Sequence, residues 1–346
     1  MGVKGFFKIT IGKKTFEQLG SKVQLKDLKD KVIGIDASFI IYNSALAFYL
    51  SSSPINGDGA SEIKDGAPES TSDTTSDTKT DTLTSHLHII LNKVLQFKKN
   101  NIEQLWIFDN PVSHRLKAKE LATRDQTREF KLNSKIVEET KKLLNYLGIT
   151  YITAPKNVEA EHLGAMLTPK VCDLFLSGDS DVLIFGGNLL RPKKEGTKTV
   201  YYAYYFEEFL KDADISYDQL VKIAVAMGND FNTKIKGIGP KTVVSKIKKL
   251  DLKEPEIKDQ ELEEESKSKG KKKAKVKIDQ KNFESLFEDE TQEEKDEKKE
   301  ALALFHSRPE FPLDKVNGEY KRDLVINMLK DKNFSVERLE KILPPS

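Results

Sequence analysis

Only one cysteine, Cys172, occurs in 346 residues, so no disulfide can form within the chain and packing must hold the fold. That usage suits a reducing compartment, and Cys172 itself, inside the strand-like run VCDLFL, reads as a small buried hydrophobe. Long apolar runs are absent as well. No stretch approaches the ~20 residues of a membrane-spanning helix, so no membrane partner is expected. Net charge is nearly absent: 57 basic residues against 55 acidic ones leave +2, so any charge that matters must be segregated by the fold. The opening MGVKGF lacks the apolar stretch of a signal peptide and the hydroxyl residue wanted for myristoylation, so an intracellular location is expected.

What the chain does have is carboxylates at the ends of apolar runs. VIGID ends at Asp36, LWIFD at Asp109, and DLFLSGDSD carries Asp179 and Asp181; Glu159 and Glu161 open a helical run, and Asp230 follows AVAMGN. In an open parallel α/β sheet, ligands bind in the crevice at the carboxyl ends of the strands. A lone aspartate there is ordinarily a turn former or helix cap, and glutamates at a helix start complement its dipole. Seven acids gathered from distant positions would repel one another unless hard cations neutralised them, and carboxylate oxygen is what magnesium or manganese prefers. Asp179 and Asp181, two apart, are expected on one side of a pleated strand end, sharing one ion. Two such ions about 4 Å apart would activate a water and stabilise the leaving oxygen of an in-line phosphodiester displacement, without a nucleophilic cysteine or serine.

Strands and helices alternate through the first two thirds of the chain. A strand at about 32–36 precedes the helical run FIIYNSALAFYL; the helical TSHLHIILNKVLQFKKN leads into LWIFD; a long, interrupted helical region ends at Gly148 before ITYITA; helix EAEHLGAML, strand CDLFLSGD, a short strand LIFG and the aromatic run TVYYAYYF follow. The expected fold class is α/β, a mainly parallel twisted sheet flanked by helices. Residues 51–82 hold almost no large apolar side chain, and 251–282 mix acidic blocks with SKGKKKAKVK; both are expected to be disordered insertions. Residues 283–346 regain helical periodicity and are expected to pack on the core.

A second motif lies in MGNDFNTKIKGIGPKTVVSKIKK. Gly237 and Gly239 let backbone amides approach a phosphate, Pro240 suits the entry to a helix, and Lys241, Lys246, Lys248 and Lys249 add positive charge. Such a helix–two-turn–helix region, spanning 216–250, grips duplex backbone without reading sequence.

With MGVKGF, IDASFIIY, TSHL, FDN, LKAKELATR, VEAE, SGDSDVLIFG, MGNDF and GIGPK, the chain resembles the flap endonucleases of the XPG-type structure-specific 5′ nuclease family. The resemblance implies a PIN-like nuclease core from 1–50 and 83–215, with a helical arch at about 110–147. It implies that Asp36, Asp109, Glu159 and Glu161 hold one metal and that Glu161, Asp179, Asp181 and Asp230 hold the other. The ions would be Mg2+, with Mn2+ as a substitute, and K+ is an expected occupant of the GIGPK turn. Lys117 and Arg124 match the family's basic pair facing the scissile phosphate, Tyr42 its aromatic stacking platform, and Gly2 its N-terminal residue near the junction. The implied activity is 5′ flap endonuclease and 5′→3′ exonuclease cleavage of branched DNA in replication or repair, by a monomer in the nucleus or another site of DNA replication.

Departures accompany the matches. Asn110 stands for a glycine usual after the second metal aspartate, Tyr49 for an arginine, and the interval from Lys117 to Glu159 is short, which implies a reduced arch and relaxed threading of a free 5′ end. The end, ILPPS, lacks the family's sliding-clamp peptide; Gln280 to Phe287 is a loose internal match that reads better as an amphipathic helix. Two rivals remain: a 5′ nuclease acting on RNA, and a non-catalytic DNA-junction scaffold.

Overall fold

The computed structural model describes residues 2–43, 85–110, 115–117, 134–251, 283–310 and 312–345. Almost all of both expected insertions, most of the expected arch, Arg124 and Tyr49 lie outside these residues. The chain divides into two compact units, one of residues 1–20 with 207–307 and one of residues 21–206 with 308–346. That division differs from the sequence expectation at both ends. The first twenty residues cluster with the helical region and not with the sheet, and the segment after residue 283 is shared between the units at Ser307.

In the smaller unit, β1 (Thr10–Ile11) and β2 (Lys14–Thr15) form a short hairpin. Aromatic packing explains why this N-terminal stretch joins the helices: the Phe16 ring lies 5.0 Å from both Phe6 and Phe209, the latter in helix Phe206–Ala213. Helix Tyr217–Met227 starts at a capping box, Ser216 and Gln219 satisfying each other's backbone N–H groups, and stops at Gly228. Helix Val243–Asp251 follows the GIGPK turn, so Pro240 leads the turn and the helix proper begins three residues later. Phe283 and Phe287 are both buried and meet edge to face at 5.6 Å, so the clamp-like stretch spends its aromatic anchors inside its own unit.

The larger unit is built on an eight-stranded sheet. Its strands are β3 (Ser21–Val23), β4 (Val32–Asp36), β5 (Glu103–Phe108), β6 (Thr150–Thr153), β7 (Leu174–Leu176), β8 (Leu189–Glu195), β9 (Lys198–Tyr204) and β10 (Lys315–Val316). Their spatial order is β10-β6-β5-β4-β7-β8-β9-β3. The inner five, β6-β5-β4-β7-β8, are parallel, and the outer three pair antiparallel. The sheet is therefore mainly parallel, as the alternation of runs predicts. The aromatic run TVYYAYYF is not a separate element but the return strand of a hairpin with β8, its register running from Leu189–Tyr204 to Glu195–Lys198. LIFG, expected as a strand, forms none: Leu183 and Ile184 end the short helix Asp181–Ile184, and Phe185 is its C-cap. Val182, Leu183, Ile184 and Phe185 are all buried, and so short an apolar run cannot tell a buried turn of helix from a buried strand.

Order in the sheet reverses between β4 and β7: from β4 the chain moves outward through β5 and β6, then returns to the other side of β4 at β7. That reversal is the topological switch point at which open α/β sheets leave a crevice. Below it, Ile33, Ile35, Trp106 and Leu174 pack with Leu87, Ile90, Val94 and Phe97 of helix Ser85–Lys99 and with Leu143 and Leu144 of helix Ser134–Tyr146. Val325 and Leu329 of helix Arg322–Lys330, and Leu339 of helix Val336–Ile342, complete this core, so the last residues are structural parts of the sheet unit. Leu329, fully buried, tests that role: Leu329→Ala is expected to cost about 2–5 kcal/mol. A fall in the urea midpoint with an unchanged slope is the readout.

Candidate metal centre

Six of the seven predicted acids belong to the sheet unit, and each follows a parallel strand. Asp36 is the last residue of β4, Asp109 follows β5, Glu159 and Glu161 follow β6, and Asp179 and Asp181 follow β7. Each is held by the backbone geometry that ends its strand. Asp36 is buried, and its Oδ1 accepts the Phe39 N–H at 2.8 Å, capping the helix that starts at residue 37, while its Oδ2 accepts the Ser177 hydroxyl at 2.9 Å. Asp109 Oδ1 accepts the Ala160 N–H at 2.9 Å, so it caps helix Ala160–Leu167 from a neighbouring strand and leaves the N-cap residue, Glu159, free of that duty.

Asp179 and Asp181 come together by a route other than the one the sequence suggests. β7 ends at Leu176, so no pleat reaches them; the Asp181 N–H donates to Asp179 Oδ1 at 3.0 Å as the chain turns into helix Asp181–Ile184. Ser177 anchors both sides of this turn, since its hydroxyl also accepts the Asp179 N–H at 3.2 Å. Sequence reasoning passed over Ser177, whose signal was available in the SGDSD string. Gly178 between them is packed closely: a Cβ there would stand 2.4 Å from the Phe39 ring, which would have to shift.

Lys117 lies in a single 3-10 turn, Arg115–Lys117, and is buried, its Nζ 2.6 Å from Glu159 Oε1. The one cation placed among the described acids is therefore on a predicted ligand. Even so, burial dominates the titration of the cluster. It pushes Glu159 up to about 7, with Lys117 pulling the other way and Asp109 and Asp179 adding to the rise. It raises Asp36 to about 7, aided by Asp109 and opposed by the Phe39 and Ser177 hydrogen bonds, and holds Glu161 well above the usual carboxylate range, aided by Asp36, Asp109, Glu159 and Asp179. Among the described residues no three such side chains stand close enough to hold an ion as they are, although the acids feel one another through space. The donors are all hard carboxylate oxygens in a poorly hydrated crevice, which fits divalent cations of the magnesium type and not softer, nitrogen- or sulfur-seeking metals.

Comparison with known proteins places this arrangement. The XPG I-region family matches residues 148–230, the interval holding five of the seven acids. Flap endonuclease 1 of Picrophilus torridus is 30% identical over 66% of this chain and 72% of the relative, and that of Methanococcus aeolicus 30% over 71% and 76%. The chain belongs to the flap endonuclease family. Flap endonuclease 1 of Theileria parva is 26% identical, and the chain spans only 51% of its length. Among solved structures, flap endonuclease-1 from Methanococcus jannaschii matches with a TM-score of 0.65 at 20% identity, covering 99% of this chain and 96% of that one. The catalytic core of Rad2 in complex with DNA substrate matches with 0.64 at 21%, covering 99% of each. These two likenesses establish the fold.

Other predicted site residues of the chain are spread over both units. Tyr42 is half-buried on the helix after β4. Asn110, the departure from glycine, donates its side-chain amide to the Ala154 carbonyl at 3.2 Å, tying the ends of β5 and β6 together. Gly2, Asp230, Gly237, Gly239, Lys241 and Lys246 are in the smaller unit. There the Lys4 N–H donates to the Gly228 carbonyl at 3.3 Å, which joins the N-terminal segment to the turn carrying Asp230. Gly237 has φ +72°, and nothing lies within 4 Å of a Cβ built on Gly237 or Gly239, so the turn presents open backbone; Lys241 and Lys246 are exposed beside it. The Lys246 ammonium donates to the Gly237 carbonyl at 3.0 Å.

The pH behaviour of the metal-free protein follows from the raised values. Between the unfolded values, 3.8 for Asp36 and 4.5 for Glu159, and the folded values of about 7, the native state holds protons that the unfolded chain has released. Stability must therefore fall as pH rises across that window. In EDTA, Tm is expected to drop between pH 5.5 and 7.5, and Asp36→Asn to flatten the drop and raise Tm at pH 7.5 by roughly 2–4 °C per kcal/mol recovered. A Tm that is flat over this range in the unsubstituted chain would show that the carboxylates ionise without cost.

Proposed function

We propose that this flap endonuclease is a two-metal enzyme cutting DNA near junctions of single and double strands, releasing 5′ flaps and also acting as a 5′→3′ exonuclease in replication or repair. The observation that carries this reading is the convergence of six carboxylates from four adjacent parallel strand ends, around the switch point of the sheet, with the buried Lys117 among them. Asp36, Asp109, Glu159 and Glu161 are assigned to one divalent ion and Glu161, Asp179, Asp181 and Asp230 to the second. Mg2+ is the expected metal and Mn2+ a working substitute, and when bound they supply water activation and leaving-group stabilisation.

The chain's own groups prepare the rest. Ser177 and the Phe39 N–H fix the Asp36 carboxylate, and the Ala160 N–H fixes Asp109, so these acids need little reorganisation when loaded. Lys117 offsets Glu159 in the free enzyme, and a phosphate entering the crevice offers the same ammonium a second anionic partner on which charge develops during cleavage. Arg124 is assigned to the same task, and Tyr42 to stacking of an unpaired base, a contact worth about 1–3 kcal/mol. Gly2 is placed near the junction. The Gly237–Lys241 turn, with Lys246, grips the duplex backbone, and K+ is the monovalent ion expected to support it. The enzyme is read as a monomer acting inside the cell, in the nucleus or another site of DNA replication, with a sliding clamp as a further partner.

A labelled double-flap DNA, a bubble and a single-stranded RNA, each with magnesium or EDTA, separate the readings. Magnesium-dependent cuts within about a nucleotide of the flap junction are expected, and Asp181→Ala should abolish them, a loss of at least ~10³-fold in kcat, while flap binding persists. Undiminished cutting by Asp181→Ala would refute the metal assignment. Binding of the flap without cutting would favour a scaffold, and cutting of the RNA alone would favour an RNA nuclease.

A further inference from the structure

Lys298 is a lysine with no exposed surface, in helix Gln292–His306, beyond the second insertion. Its ammonium pairs with Glu290 at 2.5 Å and donates to the Thr233 hydroxyl at 3.0 Å, 65 residues away in sequence. Thr233 closes the turn that carries Asp230. That turn is a tight one: Asn229 and Asn232 bridge each other, the Asn229 amide donating to Asn232 Oδ1 at 2.7 Å, and the Phe231 N–H donates to Asn229 Oδ1 at 2.8 Å. The same helix touches the turn a second time, where Phe305 meets Phe231 edge to face at 5.6 Å. Two residues just after Asp230 are thus held by one helix, Thr233 by an ammonium and Phe231 by a ring.

Stability alone does not account for a buried ion pair here, because well-packed apolar replacements of such pairs are often as stable or more so. A directional bond to one hydroxyl does something an apolar side chain cannot: it fixes where the Asp230 turn ends. We infer that Lys298 is a positioning residue for the divalent-metal site, setting the Asp230 carboxylate through Thr233, with Glu290 as the counter-charge that keeps the ammonium in place. This rests on the reading of Asp230 as a metal ligand.

The test is manganese binding to the full chain without DNA, followed by the spectroscopic signal of free Mn2+. Thr233→Val removes the acceptor at nearly constant volume, and the double variant Lys298→Met with Glu290→Gln removes both charges together. Each is expected to weaken one of the two ions about tenfold, the scale on which outer-shell partners of metal ligands act. Flap DNA binding in EDTA should stay unchanged, and excess Mn2+ should restore kcat. Asp230→Asn, run in parallel, should lose that same ion. If Asp230→Asn keeps both ions, the ligand reading falls and the proposal with it. If Asp230→Asn loses one ion while Thr233→Val binds manganese as the unsubstituted chain does, the ligand reading stands and the positioning role is overturned. Thr233→Val carries the decision should the double variant fail to fold.

Discussion

Negative charge crowded into a poorly hydrated crevice is the constraint around which the sheet unit is arranged. Carboxylates that cannot reach water must find donors, and here each donor belongs to the backbone turn that follows a strand: the Phe39, Ala160 and Asp181 N–H groups, with the Ser177 hydroxyl donating to Asp36 while it accepts the Asp179 N–H. These bonds satisfy single lone pairs without cancelling the charge. Lys117 cancels one unit of it at Glu159. What remains is a site that favours protons or cations, and the rise of Asp36, Glu159 and Glu161 records that preference in the absence of any cation. Fixed orientation with unresolved charge limits the movement a divalent ion must induce to a closing of these side chains on it.

Sheet topology explains why the acids arrive together from residues so far apart. Parallel strands all end on the same side, so β4, β5, β6 and β7 deliver Asp36, Asp109, the 159–161 pair and the 179–181 pair to one edge. The reversal between β4 and β7 opens space there, and the apolar cluster beneath, from Ile33 to Phe97, anchors the strand ends from below. At Gly178 the β7 turn lies close against the Phe39 ring of the helix after β4, a Cβ there standing 2.4 Å from it, and the adjacent Ser177 hydroxyl reaches Asp36.

The parallel centre of the sheet was legible because runs such as VIGID and LWIFD announce both strand and acid in a few residues. Elements fixed by partners remote in sequence were not legible. β8 and β9 pair through a long register that no alternation of helix and strand implies, and the chain before LIFG turns into a short helix where the Asp181 N–H bonds the Asp179 carboxylate. Phe6, Phe16 and Phe209 tie the N-terminal residues to the helical unit, a contact across some two hundred residues that local apolar spacing cannot reveal. At the strand ends the acids stand out in the sequence because each follows a strand-like run, while Ser177, neutral and small, does not. Lys117 was read as facing a phosphate and is found buried against Glu159, a position only the folded chain supplies.

The turn carrying Asp230 shows the same economy in the other unit. Helix Tyr217–Met227 must stop just before the acid, and Gly228 stops it with φ +75° in a space where a Cβ would lie 2.8 Å from the Lys234 backbone. Asn229 and Asn232 then turn their side chains back onto the freed carbonyls of the last helical turn, at Ala224 and Val225, so the helix end needs no water to close it. A turn so fully bonded to itself keeps its shape but could still pivot as a body about Gly228. Contacts at its far side, Phe305 on Phe231 and Lys298 on Thr233, remove that remaining freedom. Orientation of a single carboxylate is thus set at three points, and charge is used at only one of them, where direction matters more than packing.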